Sequence, residues 1–317
     1  MAEGSRRTII VALSANLVIA VAKLAAGTIG HSSAMLSEGA HSVADTVNEV
    51  LLLTALRRSA RPADREHPFG YGMERYFWSL LAAFGIFISG AVFSMYEGIS
   101  GLLSGGGSEG GLALSLIVLG IGALAEGTSW FIAVRQLHGE AERRRRSLRG
   151  HVRRTSDPSV KTVFFEDSAA LIGLALAAAG VILRDVTGSR YPDAAAAIAI
   201  GVLLIYVAYR LGSDTRELLI GRAADPELRS ALWQQLARAE HVDAVVELLT
   251  MQLGPSEVLV AARLDLIDGL DSDAVENASE RIDKAIRAEH PEVTQVFIDA
   301  TPASRRDRDR SRRIAGG

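Results

Sequence analysis

Apolar residues fall into six long runs along the first two thirds of the chain, near 9–29, 34–56, 78–103, 112–134, 160–183 and 192–211. These runs match or exceed the ~20 residues that a helix needs to cross a hydrocarbon core, so six spans are predicted. Past residue 213 the pattern changes to short elements mixed with charge. The periodicity there predicts a helix over 226–240, strands over 244–253 and 257–266, a helix over 271–289 and a strand over 292–300. Gly254, Pro255 and Ser256 separate two alternating apolar runs, which is a hairpin signal. Asp271, Ser272 and Asp273 supply an N-cap neighbourhood for the second helix. The expected architecture is an all-α six-helix transmembrane bundle over 1–212, followed by a small cytoplasmic α/β domain of αββαβ order over 213–303. Residues 304–317, with the mixed-sign stretch Arg305–Arg313, lack apolar periodicity and are expected to be a disordered tail.

Composition agrees with a membrane protein. Of the 317 residues 49% are hydrophobic, and the net charge is only -3. There is no cysteine, which excludes disulfides and thiolate metal sites and leaves His, Asp, Glu and water as metal ligands. The first apolar run leads into the second without an Ala-x-Ala pattern, so no cleavable signal peptide is expected. Basic residues are distributed unevenly. The loops after the second and fourth runs carry Arg57, Arg58, Arg61, Arg65 and Arg75, then Arg135, Arg143 to Arg146, Arg149, Arg153 and Arg154; the intervening connections hold only Arg184 and Arg190. The positive-inside rule then puts both termini and the C-terminal domain in the cytoplasm of a multi-pass protein, with the cell (inner) membrane as the expected location. The arginine run reads as a topogenic, lipid-facing feature, and without interleaved aromatics it gives no support to nucleic-acid binding.

Ionisable residues at bilayer depth are rare, and here they cluster. The predicted spans contain Lys23, Glu38, His41, Asp45, Asn48, Glu49, Glu97, Glu126, Glu166 and Asp167. Lys23, Glu49 and Glu97 are read as structural residues near an interface or snorkelling toward one. His41 and Asp45 stand one helical turn apart and point the same way, forming half of a divalent-metal site. Glu166 and Asp167 are adjacent, so their directions diverge by ~100° and only one can point squarely at a given ion. Glu126 reads equally as an outer ligand or proton carrier and as a hydrogen-bonding residue inside the bundle. With Glu38 it completes the set as a minor candidate.

These features resemble the cation diffusion facilitator family of proton-coupled divalent-metal exporters. The resemblance rests on the six spans, the His41-x-x-x-Asp45 pair, a carboxylate on the fifth span, the C-terminal domain, and the loop Asp64-Arg-Glu-His-Pro-Phe-Gly-Tyr-Gly, similar to the family's D-x-x-H-x-F-G-x-G signature. It implies that His41, Asp45 and Asp167 are ligands of the transported ion. The family's first fifth-span ligand falls on Val163 and a further loop histidine on Tyr71, which marks a divergent branch with Glu-Asp on the fifth span. Glu166 or a water would then complete the site. Zinc is the family default, with manganese, iron or cobalt open. Asp64 and His67 are weak candidates for a loop metal, against a turn built by Pro68, Gly70 and Gly72.

The C-terminal domain resembles the family's metallochaperone-like module, which dimerises and senses metal. Positions often held by His read as Val246 and Arg263, leaving Asp299, so dimerisation without sensing is expected. The reading is therefore a homodimeric secondary antiporter in a lipid bilayer, moving a divalent cation out against protons, with no permanently bound cofactor. The alternative is a metal-regulated membrane scaffold or sensor that has lost transport. No nucleophile–base arrangement, P-loop or HExxH motif points to an enzyme.

Overall fold

The structure is a computed structural model. It describes residues 3–103, 112–143, 147, 148, 150, 152 and 158–315; for 3–15, 87, 158–163, 312 and 315 the description stops at the backbone. The Gly-rich loop at 104–111 and most of the arginine run lie outside the described residues. The chain divides into two compact units, one of Met1–Arg57 with Arg75–Arg216, the other of Arg58–Glu74 with Glu217–Gly317. The loop after the second helix thus groups with the C-terminal residues, a partition that the expected boundary at 212/213 did not include.

The first unit consists, among the described residues, of six long helices: α1 (Glu3–Ile29), α2 (Ser33–Ser59), α3 (Glu74–Leu103), α4 (Leu112–Arg143), α5 (Pro158–Thr187) and α6 (Tyr191–Ile220). Four helical stretches, α3, α4, Phe164–Thr187 of α5, and α6, are long and apolar enough to cross a membrane; α1 has a shorter apolar stretch, Asn16–Ile29. The interior of α2 is diluted by Glu38, His41, Asp45, Asn48 and Glu49. Helices suit such sequences because every backbone polar group is satisfied within its own segment. Ile86–Val92, in the middle of α3, is wound as a π-helix.

Small residues set how closely these helices approach. At Gly98 an added Cβ would come within 2.9 Å of the Ile198 backbone nitrogen and 3.0 Å of the Ala194 carbonyl, so α3 and α6 meet backbone to backbone. Gly39 likewise faces Leu24 across α1 and α2. A polar clamp joins the Ser33 end of α2 to α5 and α6. Ser32 Oγ and the Ser33 amide donate to Asp193 at 2.6 and 2.7 Å, and Arg184 donates to the His31 carbonyl at 2.7 Å.

The second unit is built on a three-stranded sheet of order β1-β2-β3, with β1 (Val242–Gly254), β2 (Glu257–Leu266) and β3 (Val293–Ala300). β1 and β2 form the expected antiparallel hairpin, and β3 lies parallel to β2 after the crossover helix α8 (Ser272–Glu289). Helix α7 (Pro226–Ala237) is capped by Asp225, which accepts from the Glu227 amide at 3.0 Å; Asp271 caps α8 through the Ala274 amide at 2.8 Å. Leu232 and Leu236 of α7, Ile286 of α8 and Val260 and Leu264 of β2 are fully buried together.

The tail differs from expectation: Arg305–Ala315 forms a helix, α9. Its Arg308 pairs with Asp265 at 2.8 Å and Asp243 at 3.0 Å, its Ser311 accepts the Val245 amide at 3.0 Å, and Arg310 lies 5.0 Å from the centre of the Trp233 ring. What orders it is polar docking onto β1, β2 and α7, a cause that leaves no apolar period in the sequence.

Three outcomes test this packing. Gly98→Ala should lower the unfolding midpoint of the detergent-solubilised protein, with about 1–3 kcal/mol lost to overpacking. Gly120→Ala, which has open space beside it, should be neutral or slightly stabilising. Ser311→Ala strands the Val245 amide, and hydrogen exchange at that amide in the full-length protein should accelerate by roughly tenfold, since losing one buried partner costs ~1–3 kcal/mol.

Candidate functional site

Helix α2 presents one polar stripe to the bundle interior. Glu38, His41, Asp45 and Asn48 recur at spacings of three and four, so they share a face. The His41 side chain is 1% exposed, and its Nδ1 lies 3.5 Å from Asp45 Oδ1, longer than a good hydrogen bond. Both ring nitrogens of His41 and both carboxylate oxygens of Asp45 are buried without a hydrogen-bond partner among the described residues. Four such atoms in one turn are costly unless something else completes them.

Asp45 opens onto a cavity of about 120 Å³ between α1, α2, α4 and α5. Asn48, Glu126, Ser129, Glu166 and Asp167 also line it. The two adjacent fifth-helix carboxylates diverge as helical geometry requires. Glu166 reaches α2, where the Asn48 amide donates to both of its oxygens; Asp167 turns to α4, where Ser129 Oγ donates to it at 2.7 Å. At the rim, Asn16 of α1 donates to Glu49 at 2.6 Å. The cavity therefore gathers Asp45, Glu49, Glu126, Glu166 and Asp167, and His41 adjoins them through Asp45. Among the described residues no three His, Asp or Glu side chains are grouped so as to hold a metal ion. Asn48 and Ser129 engage the carboxylates of α5 instead.

Two sets of candidates lie elsewhere. Glu38 is fully buried and paired with Lys23 of α1 at 3.2 Å, and Lys23 also donates to Ser42 at 2.7 Å. Lys23 therefore does not snorkel: its side chain is 0% exposed. Asp64 and His67 belong to the second unit. There Asp64 closes a turn, accepting from the Glu66 and His67 amides at 3.0 and 2.8 Å and from the Tyr71 hydroxyl at 2.7 Å. The Tyr71 and His67 donors hold its carboxyl below the usual carboxylate range. Gly72 of the same loop would, with a Cβ, come 2.6 Å from the Leu253 carbonyl, so it marks a close approach to the hairpin turn. Val163 lies on helical backbone of α5, with its side chain outside the described residues.

Asn48 and Ser129 are the residues whose role the sequence reading missed. Asn48 stands three residues after Asp45 and seven after His41, so the stripe itself pointed to it. Ser129 stands three after Glu126. In the sheet, Arg263 pairs with Asp299 at 3.2 Å. A fixed cation thus occupies the position whose resemblance suggested a metal-sensing histidine.

The family model for the cation efflux transmembrane domain matches residues 9–220, about two thirds of the chain. The chain belongs to the cation diffusion facilitator family. It is 33% identical to metal tolerance protein C4 of Arabidopsis thaliana, over 83% of this chain and 57% of that protein. With the mitochondrial proton-coupled zinc antiporter SLC30A9 of Xenopus laevis it shares 34% identity, over 83% of this chain and 47% of that one. Against the manganese efflux system protein MneP of Bacillus subtilis (strain 168) the identity is 22%, over 94% and 96%. The chain thus spans about half the length of the plant and frog relatives. Family membership together with the apolar helices makes this cation diffusion facilitator an integral membrane protein, and its named relatives are transporters rather than enzymes.

Asn48→Ala removes the donor that holds Glu166, and Ser129→Ala releases Asp167. Each should change metal affinity by about 10–100-fold, the range expected when an orienting partner of a ligand is lost. Calorimetric titration of the purified protein with zinc and with manganese measures it; equal affinities in both variants and the parent would show that these partners orient nothing.

Proposed function

We propose that this chain exports a divalent cation from the cytoplasm in exchange for protons, using His41, Asp45, Asp167 and Glu166 as the ligands of the transported ion. The observation that carries the reading is the His41–Asp45 turn, whose four buried polar atoms lack partners among the described residues beside a cavity rich in carboxylates. A dication completes such a set, because neutral imidazole and ionised carboxylates are the forms that ligate. Protons compete for the same lone pairs, so uptake of protons expels metal and the exchange is coupled by sharing one site. The donor set is oxygen-rich, which suits manganese as well as zinc. The functions named for two relatives, zinc antiport and manganese efflux, support the same pair of substrates.

The remaining features fit this reading. Helices α1 to α6 all cross the bilayer, with the arginine-rich loops and both termini in the cytoplasm of the cell membrane. The C-terminal unit pairs two copies into a homodimer, with Arg263 and Asp299 contributing structure rather than metal sensing. Glu126, on the wall opposite α2, serves as an outer ligand or proton carrier. Asp64 and His67 build the loop.

Reconstitution into liposomes with an imposed pH gradient tests the proposal. The parent protein should move zinc or manganese, and the His41→Ala/Asp45→Ala double variant should reduce that flux at least a hundredfold. Flux that survives the double variant sinks the site assignment. A parent protein that moves no divalent ion at any gradient favours the scaffold or sensor reading instead.

A further inference from the structure

The Lys23–Glu38 pair is a second charged element in the bundle, separate from the cavity and not required to line it. Both side chains are 0% exposed, and replacing a buried ion pair with apolar residues is often neutral or stabilising, so its presence calls for a role beyond holding helices together. Its position suggests one. Lys23 Nζ donates to Ser42, which lines the cavity, while the cavity extends from there toward Leu52 at the other end of α2. The pair therefore adjoins the cavity through Ser42. Beyond it, toward Ser33, a second cavity of about 300 Å³ is lined by His31, Ser33, Glu97, Arg184 and Asp193. The carboxylates of the candidate site and this second cavity lie on opposite sides of the pair along α2.

The surrounding helices are built to receive it. A Cβ at Gly122 of α4 would lie 3.1 Å from Lys23 Cε, and a Cβ at Gly173 of α5 would overlap Glu38 Oε1. Glycine at these positions leaves room for the ammonium stem and the carboxylate. The pair is also only half satisfied: Lys23 engages Oε2, while Glu38 Oε1 is buried without a partner among the described residues. An ion pair with one unused oxygen can be broken and remade at less cost than a fully bonded one, as a gate requires.

The geometry points to Lys23 and Glu38 as the gate of the permeation path on the Ser33 side, with Lys23 as a resident cation that holds Glu38 until the path opens. This rests on the transport reading above, and it adds positioning residues to that reaction rather than ligands. In the closed state the gate keeps the site continuous with the Leu52 end alone. Opening it separates the ammonium from the carboxylate and joins the site to the second cavity.

The absence of native cysteine allows a direct test. Ala34, fully buried and one turn beyond Glu38 on the same stripe, is replaced by cysteine and labelled in proteoliposomes with a charged, membrane-impermeant methanethiosulfonate reagent supplied only on the Leu52 side, from which it must pass the gate. Labelling of Ala34→Cys alone should be slow. Adding Lys23→Met or Glu38→Gln should accelerate it at least tenfold, and combining the two should do no more than either alone. Gly173→Ala, which keeps both charges but crowds the carboxylate, should accelerate it as well, and Lys23→Arg should not. Unchanged labelling in Lys23→Met, Glu38→Gln and Gly173→Ala, with zinc binding intact by calorimetry, overturns the gate; so do additive effects in the double variant. Zinc and manganese flux of the parent is measured in the same vesicles. Loss of that flux counts against transport, while the labelling comparison decides the gate.

Discussion

A charge buried in a helical bundle must meet an opposite charge, a donor or a bound cation, because water is not there to solvate it. The first unit of this chain is arranged around that constraint. Along α2 each polar residue meets it differently: Glu38 through Lys23, Asn48 by donating to Glu166, and His41 and Asp45 through nothing among the described residues. Glu38 Oε1 and Asn48 Oδ1 also lack partners among the described residues, so orphaned atoms run along the whole stripe and are most concentrated at His41 and Asp45.

The adjacent carboxylates on α5 obey the same constraint through geometry. Neighbouring side chains on a helix cannot face the same direction, so Glu166 finds its donor on α2 and Asp167 finds its own on α4. This ties three helices together through polar contacts at one depth.

The second unit is organised around a core of its own. Apolar residues of α7, α8 and the sheet make its core, and charged pairs such as Arg263–Asp299 and Arg308–Asp265 organise its exterior. An exposed pair such as Arg263–Asp299 contributes little, with a median of ~0–1 kcal/mol, whereas Asp265 is buried and its pair with Arg308 is better shielded from water. Arg308 bridges two aspartates while Ser311 accepts a strand amide, and together these dock α9.

Six helices, the hairpin at Gly254–Ser256, the crossover helix and the His41–Asp45 turn were all legible in the sequence, because apolar length, periodicity and i, i+4 spacing are local properties of the chain. The pairing of polar groups was not. Lys23 with Glu38 spans 15 positions and Asn48 with Glu166 spans 118. Such partners are set by which helix faces meet, and glycines such as Gly122 and Gly173 leave the room that the Lys23 and Glu38 side chains occupy. The same reason hid α9, whose order comes from contacts made about 66 residues away in the chain. Residue type and spacing along the chain show which side chains are too polar for their surroundings, whereas the packing of the helices selects which of them find a partner, because those partners come from distant parts of the chain.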